Sequence, residues 1–386
     1  MDYRKYLLED ILPFWLKASI DNEFGGIMNQ VDKYGNVYET EKNAWFIGRA
    51  LWSYSMAYRI VEPKEEYLVA CEKLFSFFEK CTLDGDRLPH MMTREGEAKT
   101  VREIYYYSEM FAAMGCAQYY RICKKPEVWE RAERYFDTVY ELYLKNRYST
   151  QEIGFDVACK TFGLHMATLA TAQFMRNVGI NEGKYNAVID LAIAEMFYGG
   201  YVDDENRCVR EYLTMSGELL DNKFRNSSCP GHILEAGWFV LCEGEYRNDD
   251  GIRNFGKKLC DYAMPDGFEK KVRFIPTMSN VEIHPCGDQT KTYIWWPQCE
   301  AVVAYRVLYN IYGEEKYLLL SNEIEKEAFR IFADFENGEW YGEITADGKP
   351  VSENKGSVIK GPFHIPRMLF ALISLEEGGN IMKYIG

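Results

Sequence analysis

Residues 119–136 read YYRICKKPEVWERAERYF. An apolar helical stretch runs into Cys-Lys-Lys, a proline follows where a first helical turn accepts one, and a second amphipathic pattern begins at once. The spacing predicts helices near 103–123 and 126–147 joined by CKKPEV. In the same way VEPKEE joins helices predicted near 41–61 and 64–81. Connections this short make antiparallel hairpins.

Helical periodicity continues outward from there, with further helices expected near 2–17, 161–177, 181–196, 228–243, 247–262, 291–311, 313–332 and 364–377. Twelve helices make six hairpins, and a ring of hairpins covers its own ends where an open stack needs polar caps. The expected fold class is all-α, an (α/α)6 barrel of six helical hairpins. Strand-like alternation is confined to short pieces such as GGIMNQVD and GEWYGEIT, placed in loops over one face. A segment near the start, GGIMNQVDKYGNVYETEKNAWFIGR, is echoed near the end by GEWYGEITADGKPVSENKGSVIKGPFHIPR. No Pro/Gly/Ser-rich linker divides the 386 residues, so one domain over 1–386 is expected. The long irregular stretches near 197–227 and 263–290 have the length of functional loops.

Composition narrows the function. Hydrophobic residues at 47% and charged residues at 27% describe a globular chain with a large core. A net charge of −14 argues against nucleic acid or an anionic membrane as partner and favours a small substrate that is not strongly anionic. The 11 cysteines are scattered without a C-x-x-C pair and read as reduced, buried thiols. MDYRKYLLEDILPFW carries acids where a signal core must be apolar, and no run reaches 18 apolar residues, so the expected location is cytoplasmic.

Four constellations carry chemistry. In EKNAWFIGRALW, Trp45, Gly48, Arg49 and Trp52 share a helix face, which places an arginine between tryptophans. In SSCPGHILEAGW, Ser228 is the expected N-cap and Pro230 suits the first turn; His232 then lies near a helix N-terminus with Glu235 one turn on to orient it and Trp238 beyond. In KTYIWWPQCEAVVAY, Glu300 follows Trp296 by four residues and is either a dipole-favoured cap or a histidine orienter. In GPFHIPRML, His364 sits between two prolines with Arg367 in the next turn. Helix N-termini depress the pKa of a nearby imidazole, so both histidines are expected as neutral bases. His90 and His284 are weaker candidates. G-x-G-x-x-G after a strand, a Walker loop, H-E-x-x-H and G-x-S-x-G are all missing, which weakens redox, phosphoryl-transfer and serine-hydrolase readings.

With these residues set out, the chain resembles the N-acylglucosamine 2-epimerase family, to which the renin-binding proteins belong. The likeness rests on six ordered motifs: FGGI with its D-x-x-G turn, K-x-x-W-x-x-G-R-x-x-W at 42–52, YYYSEMFAA at 105–113, PGHILEAGWF at 230–239, W-x-Q-x-E at 296–300 and KGPFHIPRML at 360–369. The resemblance implies an (α/α)6 barrel and essential residues at Arg49, His232, Glu300, His364 and Arg367. Trp45, Trp52, Tyr106, Glu109, His165, Glu235, Trp238 and Trp296 are the expected substrate contacts. It implies interconversion of N-acetylglucosamine and N-acetylmannosamine, with no metal and no cofactor required for the chemistry. Epimerisation at C2 takes a proton from one face and returns one to the other, which calls for two bases on opposite walls. Arg49 or Arg367 would stabilise the enolate, and His364 is assigned the N-acetylmannosamine direction.

Relatives acting on mannose or cellobiose carry an added histidine after the residue matching Met166, where this chain has Ala167, with His165 two residues earlier. They supply the alternative reading, an isomerase or 2-epimerase of mannose, glucose or cellobiose-type sugars. A glycoside hydrolase would want paired carboxylates; a binding protein on the same scaffold is the third reading. Some members respond to ATP through a glycine-rich loop, but GGYVDDENRC at 199–208 has two glycines only. A homodimer is common in the family, and the sequence shows no diagnostic interface stripe.

Overall fold

The computed structural model describes residues 1–101, 106–146, 158–263, 274–280 and 292–378. Helix α1 covers residues 3–19 through a π turn at Leu7–Ile11, and α2, Ala44–Met56, runs on through a π turn at Ala57–Val61. There follow α3 (Glu65–Cys81), α4 (Tyr107–Cys123), α5 (Pro126–Asn146), α6 (Phe162–Arg176), α7 (Glu182–Tyr198), α8 (Pro230–Arg247), α9 (Asp250–Ala263), α10 (Trp295–Tyr312), α11 (Glu315–Phe332) and α12 (His364–Glu376). Each lies within a few residues of its expected span, although the expected start of α4 falls outside the described residues. None of the described helices is long and apolar enough to cross a membrane.

Odd-numbered and even-numbered helices differ in what they bury. Helix α5 buries Val128, Trp129, Ala132, Tyr135, Phe136, Val139 and Tyr143, the stripe of a helix with one face in water. In α2 every residue is buried except Trp45 and Arg49, so that helix needs neighbours all round. The even helices supply those neighbours: α2 packs on α4, α4 on α6, α6 on α8, α8 on α10 and α10 on α12. The ring closes where Trp52 of α2 meets Phe363 at 5.3 Å and Phe370 at 5.8 Å, and where Ser53 Oγ donates to the Pro362 carbonyl. Outside it, α3, α5, α7, α9 and α11 each pack on the helix before them, while α1 packs on α12. The (α/α)6 barrel is therefore five sequential hairpins plus a sixth pair made by the two ends of the chain.

Helices α2 and α4 touch backbone to backbone. A Cβ at Gly48 would lie 2.4 Å from the Phe111 carbonyl, and one at Gly115 would lie 2.6 Å from the Gly48 oxygen. That contact fixes how Arg49, the next residue, projects.

Short antiparallel strand pairs gather at the starts of inner helices. Lys42–Asn43 before α2 pairs with Met91–Met92, Cys159–Thr161 before α6 with Tyr212–Thr214, Ser227–Ser228 before α8 with Ser279–Asn280, and Thr292–Ile294 before α10 with Glu343–Thr345. The internal echo is physical: Asp21 accepts from the amides of Glu23 and Phe24, and Asp334 from those of Glu336 and Asn337. Lys42 returns to Asp21 at 2.9 Å and Lys355 to Asp334 at 3.0 Å, each across 21 residues of sequence. The described cysteines are free thiols, all buried except the partly buried Cys123.

Candidate functional site

Residues from all six inner helices line one cavity of about 260 Å³, at the small end for ligand sites. Trp45 and Arg49 come from α2, Tyr107, Met110, Phe111 and Met114 from α4, Met166, Ala167, Ala170 and Thr171 from α6, His232 and Glu235 from α8, Trp296 from α10, and His364 and Arg367 from α12. Helices that all begin here aim their N-terminal dipoles at the same space.

His364 is held by Glu300. Its Nδ1 lies 2.8 Å from Glu300 Oε1, so Nδ1–H donates there and Nε2 is left for the cavity. The same carboxylate takes Arg367 at 2.7 Å on Oε1 and the Trp238 indole N–H at 3.0 Å on Oε2. Arg367 also donates to Glu235 at 2.5 Å. Around His364, then, Arg49 and Arg367 face Glu235 and Glu300, two charges of each sign. A protonated His364 would be a third, unmatched positive charge in a buried site. Burial, reinforced by Arg367 and Arg49, holds its pKa well below the usual imidazole value. Glu235, Glu300 and His364 bring possible ligand atoms within 4.8 Å of one another, but Arg367 already supplies the cation that both carboxylates need.

His232 is built differently. Its Nδ1 lies 3.1 Å from Glu211 Oε1, an oxygen that also accepts the Gly163 amide at 3.2 Å. Burial disfavours the charged ring, yet the Cys229 sulfur and the Glu211 carboxylate outweigh burial and raise its pKa well above the usual value. The helix N-terminus alone predicted a neutral His232; these two neighbours reverse that expectation. Helix α8 begins at Pro230 with Cys229 at the N-cap position in place of Ser228, which brings the sulfur beside the ring.

Trp296 ties the two histidines together. Its ring centroid lies 5.3 Å from that of His232 and 5.5 Å from that of His364, at interplanar angles of 30° and 35°. A Cβ at Gly231 would lie 2.4 Å from this indole, so only glycine lets Trp296 lie so close to His232. On the far wall the Arg49 guanidinium stands over Phe111 at 4.1 Å and Phe363 at 4.9 Å.

Residues 25–361 match the family described as N-acylglucosamine 2-epimerase (GlcNAc 2-epimerase). The chain belongs to this family. Human N-acylglucosamine 2-epimerase is 25% identical over 381 residues, covering 94% of this chain and 86% of that one. Cellobiose 2-epimerase of Bacteroides fragilis is 26% identical over 405 residues, covering 96% and 98%. A crystal structure of a sugar epimerase from a ruminal bacterium superposes with a TM-score of 0.81 at 21% identity, over 97% of this chain and 98% of that one.

In this member of the N-acylglucosamine 2-epimerase family, Trp45, Arg49, His232, Glu235, Trp296, His364 and Arg367 reach the cavity as expected, with Glu300 behind them. Five expected substrate contacts do not. Trp52 is buried among Phe174, Phe363 and Phe370, and Trp238 stands behind Glu300. Tyr106 is buried in a cluster with Met110 and Tyr143, and its neighbour Tyr107 takes the cavity position. Glu109 binds Arg87 at 2.8 Å and the Leu88 amide. His165 is wedged between the hydroxyls of Tyr143 at 2.7 Å and Tyr201 at 3.0 Å, while Met166 and Ala167 line the wall. Glu235 pairs with Arg367 and not with His232. His90 packs edge-on against Trp45 at 5.2 Å, and His284 lies outside the described residues. Glu211 and Cys229 had no role in the sequence reading. The loop that carries Glu211 was marked there, but nothing in CVREYLT distinguishes this glutamate from a solvated one.

Proposed function

We propose that the chain interconverts N-acetylglucosamine and N-acetylmannosamine by moving the C2 proton of the ring-opened sugar. The observation that supports this reading above others is the pair of imidazoles flanking Trp296, each tied back through Nδ1 to a glutamate.

The C2–H bond of the open sugar lies beside the C1 aldehyde. Neutral His364 takes that proton at Nε2, and the C–H electron pair moves through C2–C1 onto oxygen, giving an enolate. Arg49, held over aromatic faces, stabilises the developing oxyanion. Charged His232 then delivers a proton from Nε2 to the opposite face of C2. The product carries the inverted centre, and the two histidines have exchanged protonation states. This chemistry calls for no cofactor.

The wall of Met110, Met114, Met166, Ala167 and Ala170 supports an acylamino sugar. A hydroxyl turned towards it would lose its water partners without replacement, whereas an acyl methyl would not. The similar identity to a cellobiose 2-epimerase keeps mannose- and cellobiose-type sugars as the second reading. Incubation with N-acetylmannosamine in D2O tests both. Deuterium at C2 together with N-acetylglucosamine is the expected result. A ketose product or preferential turnover of cellobiose would favour the second reading, and no exchange from any of these sugars would point to a binding protein.

A further inference from the structure

Both histidines have a glutamate at Nδ1, but the two glutamates are not equivalent. Glu300 shares its charge with a guanidinium and an indole N–H. Glu211 accepts from His232 and from the uncharged Gly163 amide. With 3% of its surface exposed, an ionised Glu211 needs a cation beside it, and His232 is placed to be that cation.

We propose that Glu211 is the positioning residue for the proton-delivering half of the reaction: it holds His232 by Nδ1, turns Nε2 into the cavity and balances the charge of the imidazolium. The proposal rests on the epimerase reading above. Three elements fix the glutamate. Its amide donates to the Ser227 carbonyl, its carbonyl accepts from Phe162 at the start of α6, and the strand that follows it pairs with Cys159–Thr161. Gly163 completes the fit, because a Cβ there would lie 2.8 Å from His232 Nδ1 and 3.1 Å from Glu211 Oε1. Among the described residues, the other ionisable groups beside His232 are Cys229 on its own helix and, lining the same cavity, Arg49, Glu235, His364 and Arg367. Glu211 is the carboxylate at Nδ1: Cys229 lies beside the ring with its Sγ donating to the Thr277 carbonyl, Glu235 pairs with Arg367, and His364 is committed to Glu300.

Histidine ring NMR on the free protein, with rates in both directions, tests this using Glu211→Gln and Glu211→Asp. In Glu211→Gln the His232 ring is expected to lose its proton at least one pH unit earlier than in the parent. The kcat in both directions should fall about 10–100-fold with KM little changed, and the alkaline limb of the rate profile should move to lower pH. Glu211→Asp should restore part of the rate. An unchanged His232 titration in Glu211→Gln, or a lower kcat with an unmoved alkaline limb, would overturn the proposal. The ring titration needs no substrate, so it decides the role of Glu211 even if the sugar assignment fails.

Discussion

His364 Nδ1 and Glu300 Oε1 are 2.8 Å apart, and that one contact sets both the tautomer and the direction of the ring. Replacing Glu300 with glutamine keeps the size of the side chain but offers an amide where Arg367 and the imidazole N–H both expect an anion. The kcat of Glu300→Gln should fall about 10²–10⁴-fold in both directions. Steady-state kinetics check this; a variant within a few-fold of the parent would mean that the carboxylate charge is not what holds the base.

Removing one histidine should separate exchange from inversion. In His232→Asn the neutral His364 remains, so it should still wash solvent deuterium into C2 of the epimer that presents its proton to that side, while net epimerisation falls about 10²–10⁴-fold. In His364→Asn the remaining ring starts charged and is a poor base, so exchange should be slow and confined to the other epimer. Supplying each epimer separately in D2O and following its C2 proton by NMR distinguishes the cases. Parental inversion by either variant would remove the two-base scheme.

The pH profile follows from the opposite shifts of the two rings. His364 is held low by burial, Arg367 and Arg49; His232 is raised by Cys229 and Glu211 against the pull of burial. The working form carries one proton on the pair, so kcat/KM should be flat through neutrality, with its acid limb below about pH 6.5 and its alkaline limb above it. Both directions use the same singly protonated pair and should share this profile. Arg49→Met removes a positive charge facing His364, which makes that ring easier to protonate, so the acid limb should move to higher pH. Stability has matching signs. The contribution from His232 is present below about pH 6.5 and is lost as pH rises through its higher folded value, whereas His364 destabilises the fold as pH drops below about 6.5.

What the sequence showed and what it hid divide along a physical line. Helix spans were legible because the outer helices carry a one-sided apolar stripe and the inner ones run apolar between turn signals. Glu300 could be marked as a cap or a histidine orienter, but which histidine it holds was not legible. Side-chain direction was less legible, since one residue along a helix turns the side chain by about 100°. That turn separates cavity-facing Tyr107 from buried Tyr106, and Met166 from His165. Glu211 was hidden because its partner is 21 residues away and its position depends on a strand pairing that leaves no periodic mark.

The crossing of α2 and α4 gives a stability prediction that also reaches the site. A Cβ at Gly48 would meet the Phe111 carbonyl carbon and oxygen at 2.4 Å and the Ala112 nitrogen at 2.8 Å. All of these are backbone atoms that cannot swing aside, so Gly48→Ala must push the helices apart, at a cost of about 1–3 kcal/mol or more. Phe111 lies under the Arg49 guanidinium, so activity should fall with stability. Gly183, on the outer helix α7, is the control: nothing lies within 4 Å of its added Cβ, and alanine is the better helix former. Urea unfolding should show Gly183→Ala as stable as the parent or up to about 1 kcal/mol more so. If Gly48→Ala unfolds at the parental midpoint with full activity, the two helices do not cross at this glycine.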